Sequence, residues 1–413
     1  MARRRDWEMR CLFGREFIVG LGVASLVPAA RAWKWSRQME LLTVPRPTGN
    51  SKVHSAGLTA DRVLLIGSGM AVGWGVTSHD VGLGGALART LTARTGHAVD
   101  LDIIADPGMV PAAALRLSRS LNLQRYDGVV VTVGVNAALD MTQPSRWRRD
   151  LGELVTGLEE ETRPDTRIFV VGIQPIRSIP TYDDAFGGIV NLHASRLNSI
   201  SARVCSTSGR ATFVPTSAPP PAAPQRFRDG STYRYWADEI GAIVAPEMDR
   251  SREVRAAEFP SAGLESATPE YGVMSRESEI RLDSIVKQAL TMLGGAGAAF
   301  GLIEDSRIVV KARAGTVPGQ VDLAGSFTAA TFASRGALIV PDAAADERFR
   351  SNPNVVGDLG IRQWAGFPVE SASGNRVGVI CVFGPRPKAG DPRMVELVLR
   401  QLALQIQDVL RTV

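Results

Sequence analysis

Four short runs of apolar, largely β-branched residues constrain this chain most: Val63 to Ile66, Asp100 to Ile104, Gly128 to Val133 and Ile168 to Ile173. Runs of this length without polar alternation suit strands buried on both faces of a parallel sheet. Amphipathic helices separate them. One is Arg148-Arg149-Asp150-Leu151-Gly152-Glu153-Leu154-Val155-Thr156-Gly157-Leu158, with apolar residues at three- and four-residue spacing. Strands that alternate with helices predict a doubly wound α/β sandwich, whose functional residues gather beyond the carboxyl ends of the strands.

The first run leads into Gly67-Ser68-Gly69-Met70-Ala71-Val72-Gly73. A buried strand that ends in small residues and then turns helical is the setting in which hydrolases display a nucleophile. Residues 61–248 resemble the SGNH, or GDSL, hydrolase family, whose first block reads Gly-Asp-Ser-x-x-x-Gly. Gly67 and Gly73 match that block; Ser68 stands where the family has Asp and Gly69 where it has the catalytic Ser. The resemblance further implies an oxyanion hole made by Gly108, in Ile103-Ile104-Ala105-Asp106-Pro107-Gly108, and by Asn136, in Gly134-Val135-Asn136. The last family block, Asp-x-x-His followed by Gly-Tyr and a helix with Trp-Ala, corresponds here to Asp229-Gly230-Ser231-Thr232-Tyr233-Arg234-Tyr235-Trp236-Ala237. Asp229 is thus the remnant of the triad acid, and the His is missing.

Triad members act as a unit. In a well-studied serine protease, losing the Ser or the His alone costs on the order of a million-fold in turnover. Ser68 is the candidate substitute nucleophile and His79, in Thr77-Ser78-His79-Asp80, the alternative base to test. A solvent-exposed loop is the plainer expectation for His79.

From residue 276 the character changes. The helical pattern Ser278 to Leu293 precedes strand-like runs at Ala298 to Ile303 and Arg307 to Ala312. Then follow Leu338-Ile339-Val340-Pro341-Asp342-Ala343-Ala344-Ala345-Asp346-Glu347-Arg348-Phe349, Ile361-Arg362-Gln363-Trp364-Ala365-Gly366-Phe367-Pro368 and Arg376-Val377-Gly378-Val379-Ile380-Cys381-Val382. These motifs resemble, in this order, a GAF domain over 276–413. The resemblance implies an α+β fold with an antiparallel sheet and a ligand pocket, for which Phe300, Phe349, Arg362 and Trp364 are the candidate lining residues. The closing helix places Val395, Leu399, Leu402, Ile406 and Leu410 on one stripe, suited to the sheet or to a partner helix. No His follows His193, so a haem with a His ligand is excluded in this domain.

Charge restricts the partners. Residues 1–52 carry ten Lys or Arg against four Asp or Glu, which more than accounts for the net charge of +5. The remainder offers no basic stripe for phosphate contacts, so no nucleic acid is expected. Cys11, Cys205 and Cys381 are too few and scattered for a disulfide framework or a zinc site, and neither a metal nor a cofactor is expected. The five Lys among 47 basic residues, with abundant Ala and Gly, fit a GC-rich bacterial genome.

The N-terminal segment, 1–60, holds an apolar stretch from Phe17 to Ala30 that is shorter than the roughly 20 residues of a spanning helix. Ala30-Arg31-Ala32 resembles a signal-peptide cleavage site; Trp33 and Trp35 also suit the headgroup depth of an interfacial helix. Membrane contact through residues 1–52 by a cytoplasmic protein is favoured here over export. Residues 249–275 read as a linker. Two functions compete: a non-catalytic sensory protein pairing a pseudo-hydrolase with a ligand-binding or dimerising GAF domain that signals through a partner, and an ester or lipid hydrolase using Ser68.

Overall fold

The computed structural model describes residues 27–37, 40–41, 43–48, 51–55, 60–220, 227–257, 274–304, 307–317, 326–334, 336–371, 374–388 and 390–411. The chain divides into two compact units, residues 1–55 with 61–258 and residues 56–60 with 259–413.

The first unit is organised around β2 (Asp61–Gly67), every residue of which is buried. Its neighbours β3 (Val99–Ala105) and β4 (Gly128–Thr132) both run parallel to it. β5 (Arg167–Val171) and β6 (Ala211–Val214) continue the parallel sheet beyond β4. β1 (Lys52–His54) closes the opposite edge, antiparallel to β3. The order β1-β3-β2-β4-β5-β6 reverses direction at β2, the topology of a doubly wound sheet.

Alternation along the strands divides the core between two helical layers. Leu64, Ile66, Val129, Val131, Ile168 and Val170 face α3 (Pro111–Ser118), α5 (Pro144–Glu161) and α6 (Ala185–Ser206). Val63, Leu65, Val130, Phe169 and Val171 face α2 (Leu83–Thr95) and α7 (Gly230–Ala257). Each fully buried Val, Leu or Ile contributes about 1.5–3 kcal/mol relative to exposure. The helix read at Arg148 to Leu158 is the centre of α5, where Leu151, Leu154, Val155 and Leu158 are buried.

The unit is larger than its sequence signature. Residues 27–37 form a helix, α1, that docks on the sheet domain. Trp33 packs at 5.0 Å from Tyr182 and 5.1 Å from Phe186, and its Nε1 donates to Asp184 Oδ2 at 2.9 Å. Arg37 joins the same carboxylate at 3.1 Å and Lys34 pairs with Asp140 at 2.8 Å. The Gly187 amide and Trp33 hold Asp184 below the usual carboxylate range. The expectation of Trp33 at headgroup depth is therefore corrected: its indole is engaged with the protein, and Trp35 alone is exposed, at 75%. Ala30, in the supposed cleavage motif, is buried. Among the described residues no helix is long and apolar enough to cross a membrane; most of the apolar stretch, through residue 26, lies outside them. The expected linker also shortens, because α7 runs on to Ala257; residues 258–273 lie outside the described residues.

In the second unit, β7 (Gly297–Glu304), β8 (Arg307–Gly315), β9 (Leu338–Val340), β10 (Gln363–Glu370) and β11 (Arg376–Gly384) pair antiparallel in the order β8-β7-β11-β10-β9. α8 (Arg276–Leu293) and α11 (Pro392–Leu410) cover one face, burying Leu282, Val286, Leu399, Leu402 and Ile406. The stripe on α11 is thus used on the sheet of its own unit. α9 (Phe327–Ala333), α10 (Pro353–Val356) and loops cover the other face.

Two predictions follow from the docking of α1 and from a buried histidine on α6. Trp33→Ala should cost about 1–3 kcal/mol, a few degrees of melting temperature, and speed amide exchange across residues 27–37. Trp35→Ala should change neither by a measurable amount. His193 is buried, with Nε2 donating to Thr142 O at 2.9 Å, and burial lowers its pKa from 6.5. A lowered folded-state pKa means the unfolded chain binds the proton more readily, so stability present above about pH 6.5 is lost as pH falls. Chemical denaturation at pH 7.5 and 5.0 should show a smaller loss in His193→Gln than in the wild type.

Candidate functional site

The carboxyl edge of the parallel sheet is built by close backbone approach. Gly67 ends β2 with φ +152°, and a Cβ there would lie 2.5 Å from Thr132 O. No side chain fits. The Ser68 amide donates to Thr132 O at 2.9 Å, and Thr132 Oγ1 donates back to Ser68 O at 3.2 Å. Ser68 is 0% exposed, and its Oγ has no hydrogen-bond partner. Gly69 follows in the left-handed region, φ +61°, and opens a 3-10 turn, Gly69–Val72. The turn of a nucleophile is therefore intact around a residue without a nucleophile.

The two residues expected to form an oxyanion hole donate to protein groups instead. Asn136, on the short helix α4 (Val135–Leu139), donates through Nδ2 to Pro107 O at 2.7 Å and Met109 O at 3.3 Å. Both amide protons are committed to the loop after β3. The Gly108 amide donates to Asp106 Oδ1 at 2.7 Å. A carboxylate thus stands on the N–H that an oxyanion would use. Asp229, the remnant acid, caps α7: its Oδ1 accepts from the Ser231 amide at 2.9 Å and the Thr232 amide at 3.3 Å. His79 is half-buried, and burial pulls its pKa down against the pull of Asp80. Its carbonyl accepts from the Gly85 amide at 3.0 Å. With Ser68 Oγ unpartnered, no described imidazole activates it.

Sequence reading missed Arg228 and Gln174. Both are buried at this edge, with Arg228 Nε and Nη2 and Gln174 Nε2 lacking acceptors. Arg228 is 3% exposed, with its Cζ 4.8 Å from the Trp236 ring centre and 5.4 Å from that of Phe227. An Arg one residue before a helix cap reads as a surface residue, so nothing in the local sequence marks it.

In the second unit, a cavity of about 50 Å³ lies between the sheet and the α9 side. Trp364, Phe327, Phe383, Val379, Cys381 and Ile361 are among its walls. Trp364 Nε1 donates to Thr331 Oγ1 at 3.0 Å, which fixes the indole. Phe349 stacks on Phe327 at 4.3 Å, and Phe327 on Trp364 at 5.1 Å. Three of the four expected lining residues fall elsewhere: Phe349 stacks on Phe327 without itself lining the cavity. Phe300 points to the helical face, because the alternation of β7 sends Ala299 and Gly301 to the cavity and Phe300 and Leu302 to α8 and α11. Arg362 forms a two-pronged pair with Asp342, 2.7 Å at each contact, away from the lining. None of the described lining residues is charged. Burial pushes the Cys381 thiol up to about 12, leaving it protonated and unsuited to nucleophilic chemistry.

Residues 65–239 match the GDSL-like Lipase/Acylhydrolase family and residues 275–411 match the GAF domain. A cyclic di-GMP phosphodiesterase of Pseudomonas aeruginosa is 29% identical over 119 residues, which is 29% of this chain and 20% of that protein. The chain therefore spans a fifth of the curated relative it matches. Among solved structures, a free methionine-R-sulfoxide reductase from Neisseria meningitidis is 16% identical, covering 32% of this chain and 78% of its own, with a TM-score of 0.28. The GAF domain of an Acinetobacter phosphoenolpyruvate-protein phosphotransferase is 20% identical, covering 34% and 84%, with a TM-score of 0.29. The chain carries a GDSL-like lipase/acylhydrolase domain followed by a C-terminal GAF domain.

Proposed function

We propose that this is a sensory, ligand-binding protein in which the GDSL-like domain has lost hydrolysis and the GAF domain holds a small uncharged molecule. The observation that carries the first half is Gly69. The position on the turn that would present a nucleophile has no side chain, and the neighbouring Ser68 hydroxyl is sealed inside the domain. Acyl transfer needs a nucleophile, a base within hydrogen-bond reach and donors aimed at the developing oxyanion. Here the donors of Asn136 and Gly108 are directed to protein oxygens. The competing reading, an esterase using Ser68, requires the serine to reach solvent and to acquire a base.

The second half rests on the lining of the GAF cavity. Walls that are mostly aromatic and aliphatic, with Ser326, Thr328 and Asn354 as the only polar residues among the described lining and none of them charged, favour a largely apolar, uncharged ligand held by shape. A phosphate-bearing ligand would enter without a counter-charge, which is unfavourable by several kcal/mol. The relative from Pseudomonas aeruginosa is a cyclic di-GMP phosphodiesterase; the cavity chemistry gives no support to a cyclic dinucleotide here.

Labelling with a fluorophosphonate probe and a short-chain ester assay test the first half. The wild type should neither label nor turn over substrate above background. Gly69→Ser should lose about 1 kcal/mol from its left-handed backbone and gain no activity, because the base is still missing. Wild-type labelling that disappears in Ser68→Ala would establish the esterase instead. For the second half, thermal-shift screens should find neutral apolar compounds that stabilise the chain, with the shift reduced in Ala299→Leu, which narrows the cavity. Micromolar binding of a cyclic nucleotide in that cavity would refute this assignment.

A further inference from the structure

The carboxyl edge of the GDSL-like sheet leaves buried polar groups unsatisfied where its other remnants have been re-partnered. Ser68 Oγ, Gln174 Nε2, and Nε and Nη2 of Arg228 all lack a hydrogen-bond partner among the described residues. A native structure seldom tolerates one such group, because each costs about 1–3 kcal/mol, and a charged group costs more.

A series of contacts links these groups through one edge of the fold. Ser68 is bonded to Thr132 at the end of β4. Two residues on, a Cβ at Gly134 would lie 2.8 Å from Ile173, the residue before Gln174. Thr216 Oγ1 donates to Gly172 O at 3.1 Å, and Trp236 Nε1 donates to Ser217 O at 3.2 Å. The guanidinium of Arg228 lies over that same Trp236 ring. The backbone of Arg228 in turn abuts the chain leaving the Gly69 turn: a Cβ at Gly75 would lie 2.4 Å from Arg228 O. Tyr233 Oη donates to Trp74 O at 2.7 Å and accepts a hydrogen bond from the Arg228 guanidinium.

Beyond its hydrogen bond to Tyr233, the guanidinium keeps two donors, Nε–H and Nη2–H, with no partner among the described residues. Its contacts with Phe227 and Trp236 supply attraction of about 0.5–2 kcal/mol each, but aromatic faces do not satisfy N–H donors. The free donors, Nε–H and Nη2–H, lie on one edge of the planar group and match two oxygens of a carboxylate or phosphoryl group. The edge also lies beside the reversal of strand order at β2, where doubly wound sheets bind ligands.

We propose that this edge is a receptor for a small molecule bearing a carboxylate or phosphoryl group, gripped side-on by Arg228 Nε and Nη2. The proposal rests on the non-hydrolytic reading of the domain. Arg228 is the anchoring residue, and Gln174 is a further donor on the same edge.

The test uses the full chain in thermal-shift and calorimetric titrations with sodium acetate, sodium octanoate and inorganic phosphate, against sodium chloride at equal ionic strength. Saturable binding of at least one oxyanion, weakened ten-fold or more in Arg228→Lys and lost in Arg228→Met, is expected. Carboxylates alone would identify the ligand group as carboxylate, and phosphate alone as phosphoryl. No saturable binding by the wild type, or unchanged affinity in Arg228→Lys, would overturn the receptor. If Arg228→Met does not fold, the wild type and Arg228→Lys decide. The fluorophosphonate probe on the same preparation separates the two failures: unlabelled protein that binds no oxyanion removes the receptor alone, whereas labelling lost in Ser68→Ala removes the reading beneath it as well.

Discussion

The contact between Gly67 and Thr132 governs the GDSL-like domain. β2 is buried on both faces and hydrogen-bonded on both sides, so its direction at the carboxyl end is fixed by β3 and β4. At Gly67 the neighbouring strand leaves no space for a side chain. The next residue, extended and bonded both ways to Thr132, turns its side chain inward; the one after, in the left-handed region, faces the edge. The backbone therefore assigns the exposed role to position 69 whatever residue occupies it. With glycine there, the geometry survives without its chemistry, and the adjacent Ser68 inherits an interior position.

On the non-hydrolytic reading, loss of a catalytic group has consequences for the groups that would have served it. A donor aimed at an empty oxyanion hole is tolerable in water but expensive when buried. Asn136 is buried, and its amide is turned to two carbonyls of the loop after β3. Gly108 is exposed, and its amide closes a local turn with Asp106. Asp229 caps a helix, a role that an acidic residue at a positive helix end fills well. These arrangements each have a structural reason to exist without substrate, which separates them from Arg228, whose Nε and Nη2 have no partner among the described residues although the group packs on Phe227 and Trp236 and bonds Tyr233.

The sequence made the architecture readable because burial on both faces leaves a continuous apolar signature. The strands read at Val63, Asp100, Gly128 and Ile168 are β2 to β5. β1 and β6 escaped because they are edge strands of three and four residues, too short for periodicity to register. α1 escaped for another reason: its anchoring indole, Trp33, is chemically suited to a membrane interface and to a protein surface alike, and only Asp184, far along the chain, distinguishes them. Phe300 shows the limit of motif-based site assignment. In a strand, a shift of one residue changes the face, so an aromatic residue in the right strand still belongs to the helical core. Trp364, one residue into β10, falls on the cavity side.

The two domains pose opposite electrostatic problems, and this bears on what each can sense. The GAF cavity is walled mostly by aromatic and aliphatic side chains, with Ser326, Thr328 and Asn354 as its polar lining and no charged residue among those described. The GDSL-like edge holds a cation at 3% exposure, where the low dielectric that penalises the lone guanidinium also strengthens any anion that reaches it. Discrimination at the first site is a matter of volume; at the second it is a matter of charge and of two coplanar oxygens. On the two proposals above, the sites would select for unrelated chemistry, apolar shape at one and a paired-oxygen anion at the other.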